Sequence, residues 1–198
     1  MTEWLYSDVV KDHFMNPRNV LMEDESTFPA DGRGLTGNIK CGDQMLILLK
    51  IQDDVITDVR WKTYGCASAI ASTSMLSEVI KGLKLEAAYY IKPDEIASRL
   101  GGLPDNKIHC SVLGDKALRA AIDDYLAKTG RTGLFKDDDA VVICTCLGIT
   151  DKDIETAVKA GSRTWEDLQN ATKIGTVCGG CKEKASELLH EFVHIYGD

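Results

Sequence analysis

The chain has 198 residues, enough for one or two domains, and its 44% apolar and 27% charged residues match a soluble globular protein with a real core. A formal net charge of −8 with no visible basic patch argues against a nucleic-acid partner. An acidic surface fits plain solubility or a basic protein partner.

The first residues lack the basic start, apolar run and small-residue cleavage site of a signal peptide. The longest apolar run, near residues 45–51, is far below a membrane span, so the expected compartment is the cytoplasm and no membrane partner is expected. In that reducing setting seven cysteines, an odd number, cannot form a closed disulfide set.

Taken in chain order, residues 1–130 read as α+β. A helix over Tyr6 to Met15 stops at Asn16-Pro17, because proline disfavours helix in the residue before it. Gly32, Gly34 and Gly37 predict a loop. Residues 45–51 form a β-rich run, Asp53-Asp54 a turn, and the alternation of Val55, Thr57, Val59 and Trp61 a half-buried strand. A helix after Cys66 sets Ala71, Met75, Leu76, Val79, Ile80 and Leu83 on one face. Pro93 opens a short helix, and a last one follows Cys110 with Leu118, Ala121, Ile122 and Tyr125 in step. The polar stretch 131–139, ending in Asp137, Asp138 and Asp139, reads as a linker, with a solvated loop inside one domain as the alternative.

Residues 140–198 read as mostly helical. Thr150 is an N-cap signal, Gly161 a stop, Thr164 a second start, and a longer helix after Cys181 carries Ala185, Leu188, Leu189, Phe192 and Ile195 on one face. A domain this small has a marginal core, a deficit that a metal site often fills.

Cys144 and Cys146 form a CxC, Cys178 and Cys181 a CxxC, and such paired thiolates suit zinc or an iron–sulfur cluster. CxC is unusual for structural zinc, which favours 2Fe–2S. Gly179 and Gly180 free the loop to wrap the metal, and the helix start behind them favours anionic sulfur. The segment resembles the small ferredoxin domain of bacterioferritin-associated ferredoxin (BFD) and the central domain of NifU. That resemblance implies a permanent 2Fe–2S centre on Cys144, Cys146, Cys178 and Cys181.

Cys41, Cys66 and Cys110 are widely spaced, each beside a loop or helix start where thiolate is favoured, with Asp43 and His109 close by in sequence. The stretches HisPheMetAsnProArgAsn (13–19), CysGlyAsp (41–43), GlyCysAlaSerAla (65–69) and HisCysSer (109–111) resemble, in order and spacing, the motifs of the IscU/NifU family of cluster assembly scaffolds. The resemblance implies an antiparallel sheet with packed helices, followed here by the small 2Fe–2S domain. It also implies a labile cluster on Cys41, Cys66 and Cys110, with Asp43 or His109 as fourth ligand or tuner of release. Zinc is an alternative occupant of those ligands.

The implied partners are a cysteine desulfurase of the NifS or IscS kind and apo-protein clients. Iron and electron donors are unspecified, and a homodimer is compatible. The expected role is a scaffold and carrier with no turnover chemistry. A ferredoxin with a docking domain and a zinc-stabilised interaction protein are the rival readings.

Two departures from the family pattern stand out. Leu103-Pro104-Asp105-Asn106-Lys107 replaces the LeuProProValLys signal read by a dedicated chaperone, and the third domain of a full NifU is expected to be either absent or cut away after Asp198. His190, Glu191 and His194 match HExxH, but an amphipathic helix with no downstream third ligand argues against a protease. Trp165 is expected as a core anchor of the small domain, and His13 has no role assigned by sequence.

Overall fold

The computed structural model describes residues 6–38, 43–103, 109–135 and 140–196, with the side chains of 38, 43 and 109–112 outside the description. Two compact units divide the chain at Phe135/Lys136. No helix of the described residues is long and apolar enough to cross a membrane.

In the first unit β1 (Gly32–Asn38), β2 (Asp43–Gln52) and β3 (Val55–Thr63) form one antiparallel sheet in the order β1-β2-β3. The Asp53-Asp54 turn holds both residues at positive φ, 52° and 59°, the twist that a two-residue hairpin needs. β2 is apolar without alternation because both of its faces are covered. On one face Met45, Ile47 and Leu49 are buried, and Met45 Sδ accepts a hydrogen bond from Thr73 of α2 (Ala67–Ile80) at 3.5 Å. Leu46 and Leu48, on the other face, pack with Leu21, Phe28 and Ala30. Burying each such side chain is worth about 1.5–3 kcal/mol. The mixed α+β architecture with an antiparallel sheet is the one expected.

The glycines at 32, 34 and 37 are strand, not loop. At Gly32 and Gly34 the cause is α5 (His109–Lys128), which lies directly on β1. A Cβ on Gly34 would overlap the carbonyl oxygen of Ala117 and stand 2.5 Å from the amide nitrogen of Ala121. A Cβ on Gly32 would overlap the carbonyl oxygen of Ala121. A strand without side chains lets the helix backbone approach this closely.

Helix α1 (Asp8–Met15) is capped by Ser7, whose hydroxyl accepts the Val10 N–H at 3.1 Å. The segment after it is stitched to the rest of the domain. Buried His13 places Nδ1 2.8 Å from Ser74 Oγ, which also accepts the Arg18 N–H at 2.9 Å. The Arg18 carbonyl accepts the Trp61 indole N–H at 2.7 Å, and Asn19 donates to Ser77 at 3.0 Å. This is the work of His13 that the sequence leaves open: it pins α1 to α2. The polar partners come from α2 itself, which buries Ser68, Ser72, Thr73, Ser74 and Ser77 beside Ala71, Leu76 and Ile80 of the expected face, leaves Met75 and Val79 half-buried, and ends at Ile80, before Leu83. Two short helices, α3 (Leu85–Tyr89) and α4 (Pro93–Arg99), complete the unit.

The second unit opens with the hairpin β4 (Val142–Cys144) and β5 (Ile149–Thr150) and continues with α6 (Asp151–Lys159), α7 (Trp165–Thr172) and α8 (Lys182–Tyr196). Capping boxes start α6 (Thr150 with Asp153) and α7 (Thr164 with Asp167). Its core is Ile143, Ile154, Val158, Leu168, Ile174, Ala185, Leu189, Phe192 and Ile195. Trp165 is only half-buried. Rather than filling the core, its ring edge rests on Gly175, where a Cβ would stand 2.9 Å from Cζ2.

Candidate metal centres

The four cysteines of the second unit sit on two loops. Cys144 ends β4 and Cys146 lies in the β4–β5 turn, while Cys178 and Cys181 lie just before α8. The thiols pair across the two motifs. Cys146 donates to Cys178 Sγ at 3.3 Å, and Cys181 donates to Cys144 Sγ. Two thiolates on one tetrahedral metal, with bonds of about 2.3 Å, stand about 3.8 Å apart, so Cys146 and Cys178 are already near the spacing of a shared metal.

Among the described residues no three His, Cys, Asp or Glu side chains converge on one metal position.

The pairs differ in exposure. Cys144 is 2% exposed and Cys181 half-buried, whereas Cys146 and Cys178 are exposed, flanked by the exposed side chains of Leu147 and Val177. Backbone amides aim at the sulfurs. The Gly175 N–H, followed by the Cys181 thiol and the amides of Leu147 and Cys146, holds the Cys144 thiol below its ordinary range. The Gly180 N–H, 3.4 Å from Cys178 Sγ, and the Cys146 thiol do the same for Cys178. Donation to Cys178 pushes Cys146 up, and burial pushes Cys181 up. Each pair therefore holds one acceptor sulfur and one donor thiol. Gly175, at φ 71°, supplies its amide from a loop that Trp165 braces.

In the first unit Cys66 is the N-cap of α2 and is half-buried. Its carbonyl accepts the Ile70 N–H at 3.0 Å, and the helix start favours thiolate at this position. Cys66 follows β3 closely. Thr63 pairs in register with Met45 and donates to the Gln44 carbonyl at 2.7 Å, and the Gly65 N–H bonds Thr63 Oγ1 at 3.0 Å. Cys66 thus stands at the end of the sheet where β2 begins with Asp43.

α5 reaches the same end. Lys128 bonds the Asp31 carbonyl, Asp124 accepts the Arg33 N–H at 2.8 Å, Ala121 lies on Gly32 and Ala117 on Gly34, so the helix runs antiparallel to β1. From Ala117 back to His109 the helix rises about 12 Å. From Gly34 to Asn38 the strand rises about 13 Å. The start of α5, with His109 and Cys110 in its first turn, therefore lies beside Asn38. Residues 39–42, which carry Cys41, join Asn38 to Asp43.

Cys41 lies outside the described residues, as do the side chains of Asp43, His109 and Cys110, residues 104–107 of the altered chaperone signal and the acidic run 137–139. His190 and His194 lie on α8, where His190 is exposed and forms part of no three-ligand group among the described residues.

An α+β domain with a cysteine at a helix start at one sheet end, joined to a small unit with four cysteines on two facing loops, defines a protein of the iron–sulfur class. The chain matches the NifU-like N terminal domain over residues 5–132 and the BFD-like [2Fe-2S] binding domain over residues 142–191, and it belongs to the NifU-like family.

Among its relatives is the nitrogen fixation protein NifU of Nostoc sp., 37% identical over 193 residues, which are 95% of this chain and 64% of that protein. The iron–sulfur cluster assembly scaffold protein IscU 1 of Archaeoglobus fulgidus is 49% identical over 134 residues, 67% of this chain and 84% of that one. That of Aquifex aeolicus is 50% identical over 129 residues, 64% of this chain and 79% of the relative. The chain spans just under two thirds of the length of the Nostoc NifU protein that it matches.

Proposed function

We propose that this chain is a two-site iron–sulfur cluster assembly scaffold acting in the cytoplasm. Its N-terminal domain, residues 1–130, accepts sulfane sulfur from a cysteine desulfurase as persulfide, takes iron from a donor, and builds a cluster on Cys41, Cys66 and Cys110 for transfer to apo-proteins. The cluster here is cargo. Asp43 or His109 fills the remaining position, and a carboxylate or imidazole holds soft metal less firmly than a fourth thiolate, which keeps the cargo exchangeable. Zinc competes for the same ligands when cargo is absent.

What carries this reading is the meeting, at one end of the sheet, of the Cys66-capped start of α2, the start of α5 and the first residue of β2. Cys66 heads α2, Cys110 lies in the first turn of α5, Cys41 is two residues before Asp43 in the sequence, and the two helix starts favour anionic sulfur there.

The C-terminal domain, residues 140–198 beyond the 131–139 linker, would hold a permanent 2Fe–2S cluster on Cys144, Cys146, Cys178 and Cys181. When bound, the cluster supplies one-electron transfer. The protein's part is to aim the amides of Gly175 and Gly180 at the sulfurs and to bury Cys144 away from water. A centre held there would be placed to supply reducing equivalents for sulfane reduction, cluster coupling or release on the first domain.

The test is anaerobic purification with iron and zinc counts and a visible spectrum followed under chelator. About 2 durable iron atoms per chain are expected, plus a labile complement that forms only with desulfurase, cysteine and iron. Transfer activity that survives Cys41→Ala, Cys66→Ala and Cys110→Ala together overturns the scaffold reading and leaves an electron carrier with a docking domain.

A further inference from the structure

We infer that in the cluster-free chain Cys146 and Cys178 close into a reversible disulfide, which makes this cross-motif pair the thiol-modification site of the small domain. The expectation from spacing alone is different: a CxxC loop closes on itself, joining Cys178 to Cys181. Burial weighs against that product, because Cys181 is half-buried. Cys146 Sγ, by contrast, lies 3.3 Å from Cys178 Sγ, so a bond of about 2.05 Å requires the two sulfurs to close by about 1.3 Å.

Access selects the same pair. Both of its sulfurs are exposed, while Cys144 is 2% exposed and shielded from a reagent. The loops can make the small movement. Cys146 sits in a four-residue turn that ends in Gly148 at φ 67°, and Cys178 is followed by Gly179 at φ 72°, with open space around Gly148. The two sulfurs belong to chain segments 32 residues apart, so the bond ties the β4–β5 turn to the start of α8.

The oxidant is a low-molecular-weight disulfide such as oxidised glutathione. One protein thiolate attacks a glutathione sulfur, breaks its S–S bond and expels glutathione thiolate. The second protein thiolate then attacks the mixed disulfide at the protein sulfur and expels the other glutathione. The protein gives up two electrons, the reagent gains them, and the two thiol protons leave on two reduced glutathione molecules.

The bond itself does not depend on the reading of these thiols as cluster ligands. Its consequence rests on that reading: one ligand pair is locked, so the domain accepts its cluster only after a thiol reductant opens it.

The experiment uses the full chain, stripped of iron anaerobically under reductant, desalted and exposed to oxidised glutathione. Iron and sulfide content before stripping tests the cluster reading separately. Non-reducing peptide mapping then reads the bond, which keeps Cys41, Cys66 and Cys110 apart from the result. A linked peptide pair joining Cys146 to Cys178 is expected as the main product of the small domain, reversed by a thiol reductant. Cys146→Ser should instead leave a persistent glutathione adduct on Cys178. A main product joining Cys178 to Cys181, which an unfolded domain would also give because that loop is shortest, overturns the inference. So does full alkylation of Cys146 and Cys178 after the treatment.

Discussion

Replacing Gly34 with alanine tests the contact on which the first domain is built. The new Cβ would meet backbone atoms, standing 2.5 Å from the Ala121 nitrogen and 3.0 Å from the Ala117 carbonyl carbon, where ordinary contact begins at 3.4 Å. Neither neighbour is a side chain that can swing away, so β1 must move off α5 by about 1 Å, a shift set by these gaps. Overpacking costs about 1–3 kcal/mol, and a rigid backbone neighbour puts this site at the top of that range, about 3 kcal/mol. At roughly 2–4 °C per kcal/mol for a unit of this size, the midpoint falls by about 6–12 °C.

Gly114→Ala is the control. Its Cβ would meet only the side-chain ends of Leu76 at 3.3 Å and Thr73 at 3.4 Å, and alanine gains up to about 1 kcal/mol of helix propensity, so a near-neutral result is expected. Calorimetry with urea denaturation followed by circular dichroism measures both variants. A Gly34→Ala chain no less stable than Gly114→Ala refutes the close strand–helix packing, and with it the register that brings the start of α5 beside Asn38.

His13 gives a pH signature. Burial, then Arg18, hold its imidazole below the ordinary value against the opposing pull of Glu78. The folded state thus resists protonating a group that the unfolded chain protonates freely. Its contribution is fully present above about pH 6.5 and is lost as pH falls from there through the lowered folded value. In His13→Gln the slope of unfolding free energy over that window, read by urea titration, should flatten. Cys144→Ser should bleach the durable centre and leave the labile one assembling, as seen in the visible spectrum with and without desulfurase. Asp43→Ala should give a labile cluster that persists longer under chelator and transfers more slowly to an apo-ferredoxin; faster loss would make Asp43 a holding ligand.

What the sequence made legible is what depends on neighbours along the chain. The starts at Thr150 and Thr164, the Asp53-Asp54 turn and the apolar run of β2 are local signals, and each appears where expected. Gly32 and Gly34 of β1 misled because their cause is α5, more than 80 residues away in the chain, and a residue chosen for having no side chain leaves no periodicity to read. The serine stripe of α2 was hidden for the same reason, since its partners are His13, Arg18 and Asn19. At the four cysteines of the small unit, the CxC and CxxC spacing marks one shared site without saying which thiols stand together. Cys146 and Cys178 meet across the motifs because the β4–β5 turn and the loop before α8 face each other, and no count of intervening residues encodes that.

That cross-pairing has a consequence for synthesis. A ribosome releases this chain from its amino end, and Cys144 and Cys146 emerge more than thirty residues before Cys178 and Cys181. While only the first two are outside, neither has the partner it pairs with in the finished domain. With the proposed ligands, stray zinc or iron would then meet only half of the set, and the full grip would arrive once the final loop and helix have been made.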